Sequence, residues 1–195
     1  MGGVVGPREV QDPQADAWLA SRASAGDPQA FGVLVARHQT RVYRIAYRML
    51  GNAADAEDVA QDVWLQVWVS LATFTGSAAF STWLSRVAVN TALSQGRRTS
   101  RERERIRRLS RQPDVAGGPV TPSSQDGAEQ AEQTKVVREV VAGLDPELRS
   151  VLVLREFEGL SYGEIGEVLG LTEPTVRGRL SRARRQLAID LGGWR

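Results

Sequence analysis

The stretch Gly159–Leu187, GLSYGEIGEVLGLTEPTVRGRLSRARRQL, decides how the rest of the chain is read. Its opening, Leu160-Ser161-Tyr162-Gly163-Glu164-Ile165, has the form of a capping box: Ser161 at the N-cap, Glu164 three residues on, and Leu160 and Ile165 spaced to staple across the first turn. Gly170 stands where a helix needs a left-handed stop. Leu171-Thr172-Glu173-Pro174-Thr175-Val176 then repeats the starting signal, with Thr172 as cap, Pro174 in the tolerant first turn and Leu171 able to staple to Val176. The spacing predicts two short helices joined by a tight turn.

Within the second of these, Val176, Leu180, Ala183 and Leu187 recur at i, i+4, i+7 and i+11, one apolar stripe that must pack on the first helix. Pro174, Gly178, Ser181, Arg182 and Arg185 point the other way, with Arg177 and Arg184 on the flanks. Such a helix can enter the DNA major groove with its N-terminal half, where one arginine pairs two-pronged with guanine and others clamp phosphates. The plainer alternative is a helical hairpin with a solvated basic face. The paired caps, the short glycine turn and the one-sided arginines together favour the DNA reader.

The chain of 195 residues suits one or two domains and can bury a real core. It has no cysteine, which excludes a disulfide framework and a thiolate metal site and fits a reducing compartment. No run of about 18 apolar residues is present, and the start MGGVVGPREVQDPQ lacks a basic region followed by an apolar one. A soluble, cytoplasmic protein without membrane insertion is expected. The net charge of +2 hides an uneven distribution. Asp55, Glu57, Asp58 and Asp62 face no cation between Asn52 and Thr73, whereas 97–111 and 177–185 are strongly basic. Nucleic acid suits the basic parts and a basic protein surface the acidic one.

Taken in order, residues 1–14 read as a frayed, disordered extension. A short helix from about Asp16 to Ala25 is expected to bring Trp18 and Leu19 to a core. Asp27-Pro28 restarts a helix as N-cap and N1, and Phe31, Leu34, Val35, His38, Val42, Ile45, Ala46 and Met49 keep its stripe up to Gly51. A third helix follows from Asn52, with Val59, Val63, Val67 and Leu71 on one face and Trp64 and Trp68 beside them. Phe74–Ala79 breaks the pattern as a loop. Phe80, Trp83, Leu84, Val87, Ala88 and Thr91 then rebuild a stripe to Gly96. The run RRTSRERERIRRLSR reads as a charged helix extension or a solvated linker, and the Pro/Gly/Ser-rich segment after it cannot bury a core. Beyond it, Val136–Val141, an Asp145-Pro146 start carrying Leu148, Val151, Leu152 and Phe157, and the opening stretch make about four helices.

Catalytic chemistry finds little support. His38 is the only histidine, and no nucleophile motif accompanies it. Asp55 and Glu57 at a helix start suit its dipole. Asp58 and Asp62 lie deeper, one turn apart, and with Asp55 and Gln61 make a polar face better suited to a protein than to magnesium. The aromatics around the loop read mainly as core, although rings beside arginines also suit unpaired bases.

The two halves together resemble the extracytoplasmic-function (ECF) sigma factors of the sigma-70 family. LVARHQTRVYRIAYRMLGNAADAEDVAQDVWLQVWVSLATFTGSAAFSTWLSRVAVNTALSQGRR looks like their promoter-melting domain, and LDPELRSVLVLREFEGLSYGEIGEVLGLTEPTVRGRLSRARRQL like their promoter-upstream domain. The resemblance implies an all-α fold of two small helical domains joined by a flexible linker, the C-terminal one ending in a helix-turn-helix: region 2 over 15–98, linker 99–132, region 4 over 133–195. It implies a sigma factor, not an enzyme, that binds core RNA polymerase through its largest and second-largest subunits and directs initiation at promoter DNA. Asp55, Asp58, Gln61, Asp62 and Leu65 would bind polymerase. Phe74, Thr75, Ser77, Arg86, Asn90, Arg97 and Arg98 would capture melted minus-10 DNA. Thr172, Thr175, Arg177, Gly178, Ser181, Arg182 and Arg185 would read the minus-35 element, with Arg182 first for a base contact. No cofactor, metal or catalytic residue is implied. An anti-sigma factor is expected as a regulatory partner, able to hold the protein at the membrane, with the holoenzyme at the nucleoid. The competing reading is a free-standing helix-turn-helix regulator that never touches polymerase.

Overall fold

The computed structural model describes residues 13–110, 137 and 139–192, so the expected extension up to residue 12 and most of the expected linker lie outside the described residues. Helices α1 (Pro13–Ser24), α2 (Pro28–Leu50), α3 (Ala53–Ser70) and α4 (Phe80–Ser110) form the N-terminal half, with a 3₁₀ turn at Leu71–Thr73. The start of α2 follows the Asp27 cap read from sequence, and Asn52, which the sequence reading did not single out as a cap, opens α3 in the same way. Asp27 accepts from the backbone N–H groups of Gln29 and Ala30, and Asn52 from those of Ala54 and Asp55. Gly51 closes α2 in the left-handed conformation with φ 73°.

The stripes meet as expected. Leu34, Val42, Ile45, Ala46 and Met49 of α2, Val59, Val63 and Val67 of α3, and Phe80, Leu84 and Ala88 of α4 are all buried. Helix α1 differs from expectation. Its buried face is Asp16, Leu19, Ala20 and Ala23, which turns Trp18 to solvent at 58% exposure under the Arg22 guanidinium. A polar contact joins Leu19, Ala20 and Ala23 in holding α1: Asp16 Oδ2 lies 2.8 Å from His38 Nε2, and Arg37 donates to Asp16 Oδ1 at 3.0 Å. Burial lowers the affinity of His38 for a second proton more than Asp16 raises it. A neutral ring also fits the geometry, because Nδ1 is buried without a partner and a proton there would be an orphaned donor.

Helix α4 passes through Gly96 and continues to Ser110, so residues 99–110 take the helical alternative, with Arg105–Glu102 and Arg107–Glu104 pairs along it. These i,i+3 pairs support the helix where Arg105 and Arg107 stand exposed.

The C-terminal half contains α5 (139–143), α6 (Pro146–Leu152), α7 (Tyr162–Leu169) and α8 (Glu173–Gly192). Asp145 caps α6 through the Glu147 N–H. The stripe expected to run from α6 through Phe157 is interrupted by a π turn at Val153–Phe157, where the Glu158 N–H reaches back to the Val153 carbonyl. The surplus residue leaves Phe157 44% exposed and aims Phe157 and Glu158 at α2. The two halves dock there and along α4, against which α7 packs. Among the described residues no strand occurs, and no helix is long and apolar enough to cross a membrane.

Candidate polymerase and nucleic-acid interfaces

Burying Val59, Val63 and Val67 fixes the rotation of α3. The opposite face carries Asp58, Gln61, Asp62 and Leu65, all exposed, and continues to Val69 at 82% exposure. Leu65 is itself 68% exposed, so acids and uncovered aliphatics share one strip. Asp55 sits at its edge, half-buried, and lines a separate groove between the two halves. Among the described residues no group of three or more His, Cys, Asp or Glu is placed to hold a metal ion.

The loop after α3 is shaped by its rings. Phe74 stands edge-on to Phe80 at 5.5 Å and tilted against Trp83 at 5.6 Å, while Phe80 is fully buried against the His38 ring. Gly76 takes a positive φ of 74°, and the Thr75 and Ser77 hydroxyls bond across it at 3.0 Å. Beside this loop opens a cavity of about 830 Å³ lined by Phe74, Thr75, Ser77, Trp83, Arg86 and Asn90 and, from α3, Leu65, Gln66 and Val69. Thr91 fastens the α3 wall by donating to Gln66 Oε1 at 2.9 Å. Five of the seven expected minus-10 residues therefore converge. Arg97 and Arg98 do not: they are exposed two to three turns further along α4, and Arg97 lines the groove between the halves.

In the helix-turn-helix the capping box is complete. Glu164 Oε2 accepts from the Ser161 N–H at 2.8 Å, Ser161 Oγ accepts from the Glu164 N–H at 3.2 Å, and these bonds hold the Glu164 carboxyl below its usual range. Gly170 turns the chain at φ 67°, and the Leu171 N–H bonds the Gly166 carbonyl at 2.8 Å. A Cβ on Gly166 would lie 2.6 Å from the Leu171 carbonyl oxygen, so only glycine lets the turn close. Val176, Leu180 and Ala183 are buried, whereas Thr172, Thr175, Gly178, Ser181, Arg182 and Arg185 are exposed. The Thr172 and Thr175 hydroxyls bond each other at 2.9 Å. Arg177 is exposed but tied to Glu173 at 3.0 Å and stacked on Tyr162, and Arg184 is tied to Glu156. Arg182 and Arg185 have no side-chain partner among the described residues, which leaves their guanidinium groups free for a ligand.

Sequence reasoning missed Gln66, Val69 and Trp83 as cavity wall and Gly166 as the residue that permits the turn. An aliphatic pair at i and i+4 on an otherwise acidic face, Leu65 and Val69, was the available signal for the first set. A glycine four residues before Gly170 was the signal for the second.

Two family models match the chain: Sigma-70 region 2 over residues 34–102, and Sigma-70, region 4, over residues 134–187. The chain is 35% identical over 187 residues to the RNA polymerase sigma-H factor of Pseudomonas aeruginosa, covering 91% of this chain and 93% of that one. It is 33% identical over 187 residues to the ECF RNA polymerase sigma-E factor of Escherichia coli K12, covering 93% and 95%, and 31% identical over 172 residues to the ECF RNA polymerase sigma factor SigW of Bacillus subtilis, covering 85% and 91%. Among solved structures, CnrH in complex with the cytosolic domain of CnrY matches at TM-score 0.66 and 28% identity, covering 92% of this chain and 98% of that one. RpoE of Bartonella quintana, in complex with the anti-sigma factor NepR, shares the fold at TM-score 0.62 and 23% identity, covering 83% and 96%. Fold, surfaces and relatives define an RNA polymerase sigma factor built from regions 2 and 4. The chain belongs to the sigma-70 family, in its extracytoplasmic-function group. It is a sigma factor rather than a free-standing regulator.

Proposed function

We propose that the α3 strip of Asp58, Gln61, Asp62 and Leu65, with Asp55 at its edge, binds core RNA polymerase, and that the adjoining cavity holds flipped bases of the minus-10 element. One observation carries this reading: Leu65 and Val69 of the strip also wall the cavity that holds Phe74, Thr75, Ser77, Arg86 and Asn90. A polymerase contact on α3 would therefore bear directly on the base-capturing loop. Flipping a base costs a few kcal/mol, which ring stacking and phosphate contacts offset. Arg97 and Arg98 extend the basic surface upstream along α4. The exposed face of α8 reads the minus-35 element, with Arg182 on base edges and Arg185 on phosphates. The protein works without cofactor or enzymatic step in the cytoplasm. An anti-sigma protein is its regulatory partner, a reading supported by a neighbour of the same fold, RpoE of Bartonella quintana, whose structure is a complex with the anti-sigma factor NepR.

The test is transcription by purified core polymerase, with and without the protein, on candidate promoters. Promoter-specific transcripts are expected with the wild type and are abolished by Asp58→Arg together with Asp62→Arg, while duplex binding by α8 persists. DNA binding with no new transcript at any protein concentration would sink the assignment.

A further inference from the structure

The family model for region 2 begins at residue 34, so α1, Pro13–Ser24, stands outside it. In the fold α1 nevertheless supports both ends of the loop that walls the minus-10 cavity. At the near end it packs against the 3₁₀ turn Leu71–Thr73, whose Leu71 is buried. The Phe74 N–H donates to the Leu71 carbonyl at 3.0 Å, so the seat of that turn is also the seat of Phe74. At the far end α1 packs on α4 directly and reaches its first residue through α2. Asp16 Oδ2 lies 2.8 Å from His38 Nε2, and the His38 ring is tilted against the ring of Phe80 at 5.4 Å. Phe80 opens α4 and meets Phe74 edge-on at 5.5 Å and Trp83 at 5.8 Å. Phe74 and Trp83 are both cavity wall.

Between those ends the loop bonds to itself. The Thr75 and Ser77 hydroxyls meet across Gly76, and Ala78 and Ala79 carry no polar side chain that could pin the segment to α4. Its position is therefore taken from its ends, and both ends rest on α1. A ring that must stack on a flipped base captures it best when already in place, because ordering the ring on binding subtracts from the stacking energy. Asp16 and His38 are buried and do not line the cavity. What they contribute to capture passes through Phe80.

Resting on the promoter reading above, we infer that α1 is a buttress of base capture: Asp16 and His38 are positioning residues that hold Phe80, and through it Phe74, in the geometry that receives a flipped minus-10 base. The segment ahead of the region 2 match thus belongs to the melting machinery without touching DNA. A merely structural α1 would serve every function of the N-terminal half alike. A buttress serves the step in which a base enters the cavity.

The test uses the full chain assembled with core polymerase. The probe is a fluorescent non-template oligonucleotide spanning the minus-10 element, intact or with one abasic position at a time. The position whose abasic form costs the wild type most affinity marks the captured base. Asp16→Ala should weaken binding of the intact probe at least about fivefold, the low end of what stacking one base on a ring returns. Asp16→Asn, which keeps an acceptor oxygen, should recover most of that loss. On the probe abasic at the marked position, wild type and Asp16→Ala should bind alike, because no base is left to receive. Leu19→Glu, which puts a charge at a site 7% exposed, should detach α1 and show the same pattern more strongly. Minus-35 duplex binding by the same samples should be unchanged. Wild-type affinity in both Asp16→Ala and Leu19→Glu overturns the buttress. So does a loss of equal size on the intact and abasic probes, which is the mark of general damage. Failure of the promoter reading looks different: no abasic position then alters binding by the wild type.

Discussion

Asp16→Ala should weaken the docking of α1 and make the N-terminal half more acid-sensitive. In the native protein Asp16 accepts from His38 Nε2 at 2.8 Å, with side-chain exposures of 4% and 0%. Its removal leaves a buried imidazole N–H without an acceptor, a loss of about 1–3 kcal/mol. The second bond, from Arg37, adds less than about 1 kcal/mol because that guanidinium is 45% exposed. The expected total is about 2 kcal/mol, or about 5 °C in melting temperature at roughly 2–4 °C per kcal/mol. Asp16→Asn keeps an acceptor oxygen and should lose less than half as much.

The pH dependence has a definite sign. Burial holds the His38 pKa in the fold below the ordinary imidazole value of about 6.5, so the unfolded chain takes up a proton first on acidification. The stability associated with neutral His38 is whole above about pH 6.5 and is lost as pH falls from there through the lower folded value. Asp16→Ala removes the group that raises that folded value and should steepen the loss. Thermal unfolding followed by circular dichroism at about pH 7.5 and about pH 5.5 measures both effects. A deficit below about 0.5 kcal/mol, or one of equal size at the two pH values, would refute the assignment of His38 as a neutral buried donor to Asp16.

Three further outcomes concern region 4. Gly178→Ala places a methyl in open space, with nothing within 4 Å, and should stabilise α8 by about 1 kcal/mol in thermal melts; the same methyl should weaken minus-35 binding several-fold in gel shifts if DNA approaches this face closely. Gly166→Ala forces a Cβ against the Leu171 carbonyl oxygen and should cost about 1–3 kcal/mol in chemical unfolding, with loss of duplex binding. Arg182→Ala should flatten preference at one minus-35 position by about 1–3 kcal/mol in competition binding across variants of that site; a wild type already indifferent at every position would contradict the base contact.

The sequence made local structure legible wherever the signal itself was local. Ser161 with Glu164, Asp27 with Pro28, and Gly51 and Gly170 each act within about one helical turn, and each does in the fold what its spacing predicted. The orientation of α8 followed from Val176, Leu180 and Ala183, so the exposed arginines could be picked from periodicity alone. Trp18 and Phe157 went the other way because hydrophobicity says that a ring is apolar but not whether an arginine will cover it. Arg22 and Arg48 supply that cover from one turn away and from the other half of the chain. The convergence of Leu65 and Val69 with Arg86 and Asn90 depends on how α3 crosses α4, and the Glu158 contacts join residues more than a hundred positions apart. Beyond the i, i+4 spacing of Leu65 and Val69 on α3, neither leaves a periodic trace. The gathering of five minus-10 candidates came from resemblance, and their common cavity is what tertiary packing adds.

The widened turn at Val153–Phe157 gives the contact between the halves an evolutionary handle. A π turn is an α-helix carrying one surplus residue, and each residue gained or lost rotates everything beyond it by about 100°. Loss of one codon within 153–157 would restore ordinary helical spacing and swing Phe157 and Glu158 away from α2, with the exposed residues of α8 unchanged in sequence. A lineage can thus uncouple or recouple the two halves by a single in-frame deletion or insertion, a class of genetic change that comparisons of aligned substitutions pass over.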